Sequence, residues 1–258
     1  MSFFGNKDFG LEVALGNVTG YASINKFGEA LDCDVNTLTD VWDGADGATS
    51  TDIWIPPTQA RVHNLTSASA NDTSAGTGMR TVEVYGLVDW DTAESSETVT
   101  MNGTSDVATS SSYVIIHRMV GKTFGSGGTN AGIITATAVT DATITAAIQA
   151  GQGQTLMTIY GIPSTQTINI VHIEASALKA TGASTNIDGT ILVKENADLA
   201  TGGFVTKHRF KFSDTEFYDR MFGPPNKFTG PCIIKMQVSA SANNTVVAST
   251  FDAYVVNN

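Results

Sequence analysis

The histidines are the first residues whose chemistry could define a functional site. The chain has four, His63, His117, His172 and His208, and each lies within a stretch typical of a β-strand. A zinc site would require histidines that converge with carboxylates, yet no His-x-His pair or carboxylate pair lies beside any of them. We therefore predict hydrogen-bonded or outward-facing strand histidines, with no metal ligand and no cofactor-binding residue.

Two acidic clusters could hold a divalent cation. They comprise Asp40, Asp43, Asp46 and Asp52 in the first, and Asp89, Asp91, Glu94 and Glu97 in the second. Calcium requires several oxygen ligands around one turn, and residues 43–47 offer only part of such a set. The sequence favours solvated acidic loops, and a thermal melt with calcium and with a chelator would distinguish the two cases.

Residue patterns typical of enzymes are missing from the sequence. There is no Gly-x-Ser-x-Gly elbow, and neither Cys33 nor Cys232 lies near a histidine that could activate it. The glycine-rich residues 125–132 lack the Gly-Lys-Ser/Thr ending of a phosphate-binding loop. Two carboxylates that meet in a groove, as in a glycosidase, would leave no such pattern. The sequence predicts free thiols, no catalytic residue and no enzymatic activity.

The elements that would position these side chains include one strand–loop–strand unit that occurs twice. The copies span residues 55–85 and 162–194, and both begin with Ile-Pro. His63 corresponds to His172, and Thr81 corresponds to Thr190 at the same offset. A spacing that is kept while the residues diverge is typical of a tandem repeat.

Short stretches rich in Thr, Val and Ile, separated by turns, follow one another through both halves of the chain. Stiff β-branched side chains suit a pleated sheet, and this spacing of turns is typical of a sandwich or barrel. We predict an all-β fold with two tandem β-sandwich or jelly-roll-like modules. The first would comprise residues 53–160 and the second residues 161–258.

Residues 1–52 contain no long periodic segment, because glycines interrupt every candidate element. Apolar side chains are nevertheless spaced along the whole stretch, which is too apolar for a free tail. We predict an extended N-terminal arm that packs either on its own domain or on a neighbouring subunit. On this prediction, deleting residues 1–40 would weaken assembly and leave both β modules folded.

Composition limits the partners that the chain can have. Only 15% of its 258 residues are charged and the formal net charge is −11, so a nucleic-acid backbone is a poor partner. No apolar run is long enough for a membrane helix, and the first residues do not resemble a secretory signal. We expect no nucleic-acid and no membrane partner. A surface of small neutral side chains is typical of a protein that works inside an assembly.

Several strings of the sequence resemble a family of virion structural proteins of tailed bacteriophages, common in aquatic phages. They are Asn-Lys-Phe-Gly at 25–28, Asp-Val-Trp-Asp-Gly at 40–44, Arg-Val-His-Asn-Leu-Thr-Ser at 61–67, Ser-Ser-Ser-Tyr-Val-Ile-Ile-His-Arg-Met at 110–119, Phe-Gly-Pro-Pro at 222–225 and Ser-Ala-Asn-Asn-Thr at 241–245. The resemblance spans most of the chain, and it implies no active site.

A non-enzymatic structural role in the virion is the function that this resemblance implies. The prediction is a capsid decoration (cement) protein that binds the major capsid protein or other virion proteins. It would also bind itself, and a trimer would suit the threefold positions of a capsid. The alternative is a tail, collar or fibre component that recognises a host surface glycan, with Trp90 or Tyr113 as stacking platforms unless both aromatic residues pack in the core.

Overall fold

A computed structural model describes residues 8–47, 52–179 and 184–258 of the chain. Strands account for 56% of it, and one short helix, α1 (Phe9–Ala14), lies near its beginning. The helix begins after Asp8, whose carboxylate Oδ1 accepts a hydrogen bond of 2.9 Å from the backbone N–H of Leu11. The prediction of an all-β protein is therefore confirmed.

Antiparallel pairing connects the strands into four sheets. Two strands precede the first copy of the repeat: β1 (Tyr21–Cys33) and β2 (Thr39–Asp40). The next seven are β3 (His63–Ser67), β4 (Met79–Leu87), β5 (Ser95–Thr100), β6 (Val107–Ala108), β7 (Ile115–Phe124), β8 (Ile134–Ala138) and β9 (Thr143–Ile148). The last seven are β10 (Ile159–Ile162), β11 (Gln166–Lys179), β12 (Asn186–Glu195), β13 (Val205–Ser213), β14 (Tyr218–Thr229), β15 (Cys232–Ala240) and β16 (Thr245–Asn257).

We group the four sheets into two pairs by the position of their strands in the chain. The first sheet pair, built from β3 to β9, consists of one sheet with the order β6-β3-β8-β9 and one with the order β5-β4-β7. The second sheet pair consists of one sheet with the order β1-β16-β11-β14 and one with the order β10-β15-β12-β13, in which β2 also pairs with β15. Every strand pairing in both is antiparallel.

The strands of the sequence repeat occupy equivalent places in the two sheet pairs. Strand β3, which contains His63, lies between β8 and β6, as β11 with His172 lies between β16 and β14. Strand β4, which contains Thr81, lies between β7 and β5, as β12 with Thr190 lies between β15 and β13. The two copies, whose residues are related by one constant offset in the sequence, therefore also have the same order of strands in their sheets.

Part of the N-terminal stretch is a strand of the second sheet pair. Strand β1 pairs along its length with β16, from Tyr21 opposite Val256 to Cys33 opposite Thr245. The inward positions of β1 include Gly28 and Ala30, and a Cβ on Gly28 would lie 2.6 Å from the backbone N of Thr158. Residues 1–52 were expected to pack either on their own domain or on a neighbouring subunit. The described residues of β1 pack on their own chain. The small residues at these positions let β1 approach the neighbouring backbone closely. For the same reason, the sequence of β1 lacks the alternation of large apolar residues that predicts a strand.

The segment after β2 connects the two sheet pairs. Trp42 and Trp54 are both almost fully buried. The indole N–H of Trp54 donates to the carbonyl of Thr145 in β9 at 2.8 Å, and the backbone N–H of Val41 donates to the carbonyl of Met236 in β15 at 2.9 Å. The buried apolar side chains of both sheet pairs form one connected core.

Candidate functional site

Two of the histidines, His63 and His117, are buried, and burial lowers the pKa of each. His63 Nδ1 lies 2.9 Å from the carbonyl of Arg61, and burial lowers the pKa of His63 to about 4. His117 Nε2 lies 2.5 Å from a carboxylate oxygen of Glu94. Burial lowers the pKa of His117 although Glu94 acts in the opposite direction. Both therefore serve as hydrogen-bonded strand residues.

His172 differs, because carboxylates contact both of its ring nitrogens. Nδ1 lies 3.0 Å from Asp252 and Nε2 lies 2.8 Å from Asp219, on the two strands that flank β11. Burial by itself lowers the pKa of His172, but the hydrogen bonds to Asp219 and Asp252 outweigh it and the pKa is raised. With both nitrogens engaged, the imidazole links β16, β11 and β14 and is not free to bind a metal.

A histidine with a raised pKa should stabilise the fold most at low pH. The stabilisation is fully present below the unfolded pKa of about 6.5 and is lost as the pH rises through the folded pKa. We expect His172→Gln to lower the free energy of unfolding by about 1 kcal/mol at pH 6 and by less at pH 9. Urea unfolding at both pH values measures this difference.

The matched control is His208→Gln, because burial and Arg220 lower the pKa of His208. Its effect on stability should not grow as the pH falls. If His172→Gln lowers the free energy of unfolding equally at pH 6 and pH 9, the imidazole between Asp219 and Asp252 is not positively charged at pH 6.

The first acidic cluster lies partly inside the protein, which differs from the predicted solvated loop. Asp40 is fully buried against Lys235, with 2.5 Å between Oδ2 and Nζ, and its other oxygen accepts from the side chain of Gln237 at 2.9 Å. Asp43 is also buried and accepts from the backbone N–H of Leu156 at 3.0 Å, and burial raises its pKa to about 8. Asp40 therefore attaches the segment to β15, and Asp43 attaches it to the loop between β9 and β10.

The second acidic cluster is also engaged by its own surroundings. Glu97 accepts hydrogen bonds from the backbone N–H groups of Ser110 and Ser111 and from the hydroxyl of Tyr113. Asp89 accepts from two backbone N–H groups of its own turn. Within residues 8–47, 52–179 and 184–258, no group of three or more His, Cys, Asp or Glu side chains is arranged to hold a metal ion.

Neither cysteine has the environment of a nucleophile. Cys33 and Cys232 are buried and free, and burial raises the pKa of each thiol to about 12. A nucleophilic cysteine needs a lowered pKa and access to solvent.

The two aromatic residues considered as stacking platforms have different positions. Tyr113 is fully buried and its hydroxyl donates to Glu97 at 3.0 Å, so the prediction of an exposed platform is wrong for this residue. Its ring fills the core of the first sheet pair. Trp90 is only partly buried, and it borders a groove between the two sheet pairs.

This inter-pair groove has a volume of about 410 Å³. Its wall on the side of the first sheet pair consists of residues 56–60, Trp90 and Val114. The opposite wall consists of Lys194, Ala197, Asp198, Ala200 and Ile233. A mostly apolar cleft with a few polar groups, located where two units meet, is the usual form of a small-ligand site.

Lys194 is a cation that lines this groove, and most of its side chain is buried. It lies on β12 opposite Ile233 of β15, and only 9% of its surface is exposed. Among the residues that the structure describes, its ammonium group makes no hydrogen bond and no ion pair. The sequence reasoning did not single out Lys194, because nothing local distinguishes a lysine that is buried by another part of the chain.

A second exposed feature is the pair of outer strands β13 and β14, each of which has a neighbour on one side only among the described strands. Exposed apolar side chains accompany them: Val205, Phe217 and Met221, which are 54%, 60% and 70% exposed. We call these three side chains, which are spread from the start of β13 to β14, the β13–β14 patch. Apolar side chains beside unpaired strands are typical of surfaces that bind another protein.

No protein-family model, curated protein or solved structure matches the chain. In the described part of the chain, no helix has the length and apolar character that crossing a bilayer requires.

Proposed function

We propose that the chain is a non-enzymatic structural protein of a tailed-phage virion, and most specifically a capsid decoration (cement) protein. The observation that supports this proposal best is the repeated strand order of the two sheet pairs. In an eight-stranded jelly roll, one sheet has the order first, eighth, third, sixth, and the other has the order second, seventh, fourth, fifth. Jelly rolls are common in viral capsid domains.

The second sheet pair fits this order when β1 is counted as its first strand and β10 to β16 as the following seven. The sheets β1-β16-β11-β14 and β10-β15-β12-β13 then have the jelly-roll order. The first sheet pair repeats it as β9-β8-β3-β6 and β7-β4-β5, with β9 in the place of the first strand and none of the described strands in the place of the second. We infer two jelly-roll-like modules, of which the second is completed by the N-terminal strand.

Assembly through the β13–β14 patch would account for the apolar side chains that the chain leaves exposed. Two successive prolines, Pro224 and Pro225, remove backbone donors from the edge of β14. Side chains such as Phe217 and Met221 would therefore supply more of the contact than added strand pairing. The partners would be the major capsid protein or other virion proteins, and further copies of this chain, with a trimer as the symmetric form that suits threefold positions.

Particle binding tests this proposal. The purified chain should cosediment with phage heads that lack it, and Phe217→Ser combined with Met221→Ser should weaken binding about tenfold or more, because both side chains are exposed and apolar. The control is Leu11→Ser combined with Leu15→Ser, which changes exposed apolar residues at helix α1 instead. Absence of cosedimentation by the unaltered chain would overturn the proposal.

The second candidate function is that of a tail, collar or fibre component that recognises a host surface glycan. The position of Trp90 at the inter-pair groove favours it, since lectin domains also use the jelly roll and aromatic rings provide surfaces for sugars. Density confined to the tail of the particle would support this candidate over the first.

A further inference from the structure

We propose that the inter-pair groove binds a carboxylated sugar residue of a polysaccharide, with Lys194 as the partner of the carboxylate. This inference rests on the second candidate function and gives it a site and a ligand class. The particle-binding test of the first candidate does not depend on Lys194, so the two can fail separately.

Lys194 supplies the main reason for a negative charge in the ligand. Only 9% of the Lys194 surface is exposed, and among the described residues its ammonium group has no anion and no hydrogen-bond acceptor, so only solvent at the groove compensates its charge. The Asp198 side chain, which lines the same groove, is exposed and makes no ion pair with Lys194. A carboxylate that enters the groove would provide the missing partner through a charge-assisted hydrogen bond.

Trp90 and Gln59 supply the reason for a sugar. The Trp90 indole is partly exposed at the groove, and within the described chain its N–H has no acceptor. Gln59, on the same wall, is exposed and its side-chain amide likewise makes no hydrogen bond to the residues described. An aromatic face suits the apolar face of a sugar ring, and an indole N–H and an amide suit its hydroxyl groups.

The groove is less suited to an acidic peptide. A peptide would need backbone partners, which an unpaired strand edge provides, whereas Ile233, the groove residue on β15, is already paired on both sides, with Gly161 and Lys194. A volume of about 410 Å³ also matches a compact ligand better than an extended chain.

Binding can be measured on an array of neutral, carboxylated and sulfated oligosaccharides and, for the saccharides retained, by tryptophan fluorescence. The chain has three tryptophans, and Trp42 and Trp54 are buried, so quenching by acrylamide reports mainly on Trp90. We expect the array to retain carboxylated saccharides and to retain their neutral counterparts at least about tenfold more weakly. The retained saccharides should protect Trp90 from acrylamide.

Lys194→Met is the decisive variant, because it removes the charge and keeps the length of the side chain. We expect it to fold normally and to weaken binding of the carboxylated saccharides about tenfold or more. The matched control, Lys227→Met, changes an exposed lysine outside the groove and should leave binding unchanged. Retention of no carboxylated saccharide, retention that survives Lys194→Met, or capture of acidic peptides instead would each overturn the proposal.

Discussion

Deletion of residues 1–40 is expected to prevent the second sheet pair from folding. The deletion removes β1, so β16 loses the neighbour with which it pairs from Thr245 to Val256. It also removes the buried side chains of Ala30 and Cys33 from the core. The loss should exceed about 5 kcal/mol, which is comparable to the whole stability of an ordinary domain. This expectation differs from the earlier interpretation of an arm that could be deleted without unfolding either module.

Limited proteolysis and amide hydrogen exchange would measure the effect of the deletion. Strands β11 to β16 should lose their protection, while a chain that lacks only residues 1–20 keeps β1 and should retain that protection. Helix α1 buries Val13 and places the ring centroid of Phe9 5.5 Å from that of Tyr254 and 5.6 Å from that of Tyr21. It is much shorter than β1, so its removal should cost less. Equal protection in the chain without residues 1–40 and in the full chain would contradict the assignment of β1 to the second sheet pair.

Lys235→Met is expected to lower the free energy of unfolding by about 3–5 kcal/mol. Lys235 is 3% exposed and contacts Asp40, which is fully buried. Removal of the ammonium group leaves a carboxylate in the core whose remaining donors, among the described residues, are the backbone N–H of Trp54 and the amide of Gln237. Burial already raises the pKa of Asp40 against the effect of Lys235, so loss of the lysine should favour protonation and partial unfolding.

A double variant separates two contributions to the lost free energy of unfolding: the unpaired charge of Asp40 and the lost packing of the Lys235 side chain. Asp40→Asn removes the charge but keeps an oxygen that can accept a hydrogen bond from Trp54 or Gln237. Asp40→Asn combined with Lys235→Met should therefore be about 2 kcal/mol more stable than the sum of the single effects indicates. The control Lys227→Met should change stability by less than about 0.5 kcal/mol in the same urea titrations. Strictly additive effects would show that the pair is not coupled.

The repeat and the all-β fold could be predicted from the sequence because both depend on local patterns. The offset that relates His63 to His172 is kept in the sequence, and β-branched residues mark most of the strands. Strand β1 could not be recognised in this way. Its buried positions Lys26, Gly28 and Ala30 lack the large apolar side chains that mark a strand, and its partner β16 lies at the other end of the chain.

The residues of the inter-pair groove were predicted only in part. Trp90 was considered together with Tyr113, and the sequence could not distinguish a ring at a groove from a ring in the core. Lys194 gave no signal, since the facing wall of the groove, residues 56–60 and Trp90, is distant in sequence, and residues 56–60 indicated only the start of the repeat. Burial of the acidic residues Asp40 and Asp43 was missed for the same reason: their partners are Lys235 and Leu156.

The cryo-EM density of phage particles that carry this chain tests the proposed virion role most directly. The proposal requires density for both sheet pairs on the icosahedral shell, in contact with the major capsid protein, with the β13–β14 patch covered by a neighbouring molecule. Density confined to the tail would replace the decoration role with the second candidate. Particles with no density for the chain would contradict a structural role in the virion.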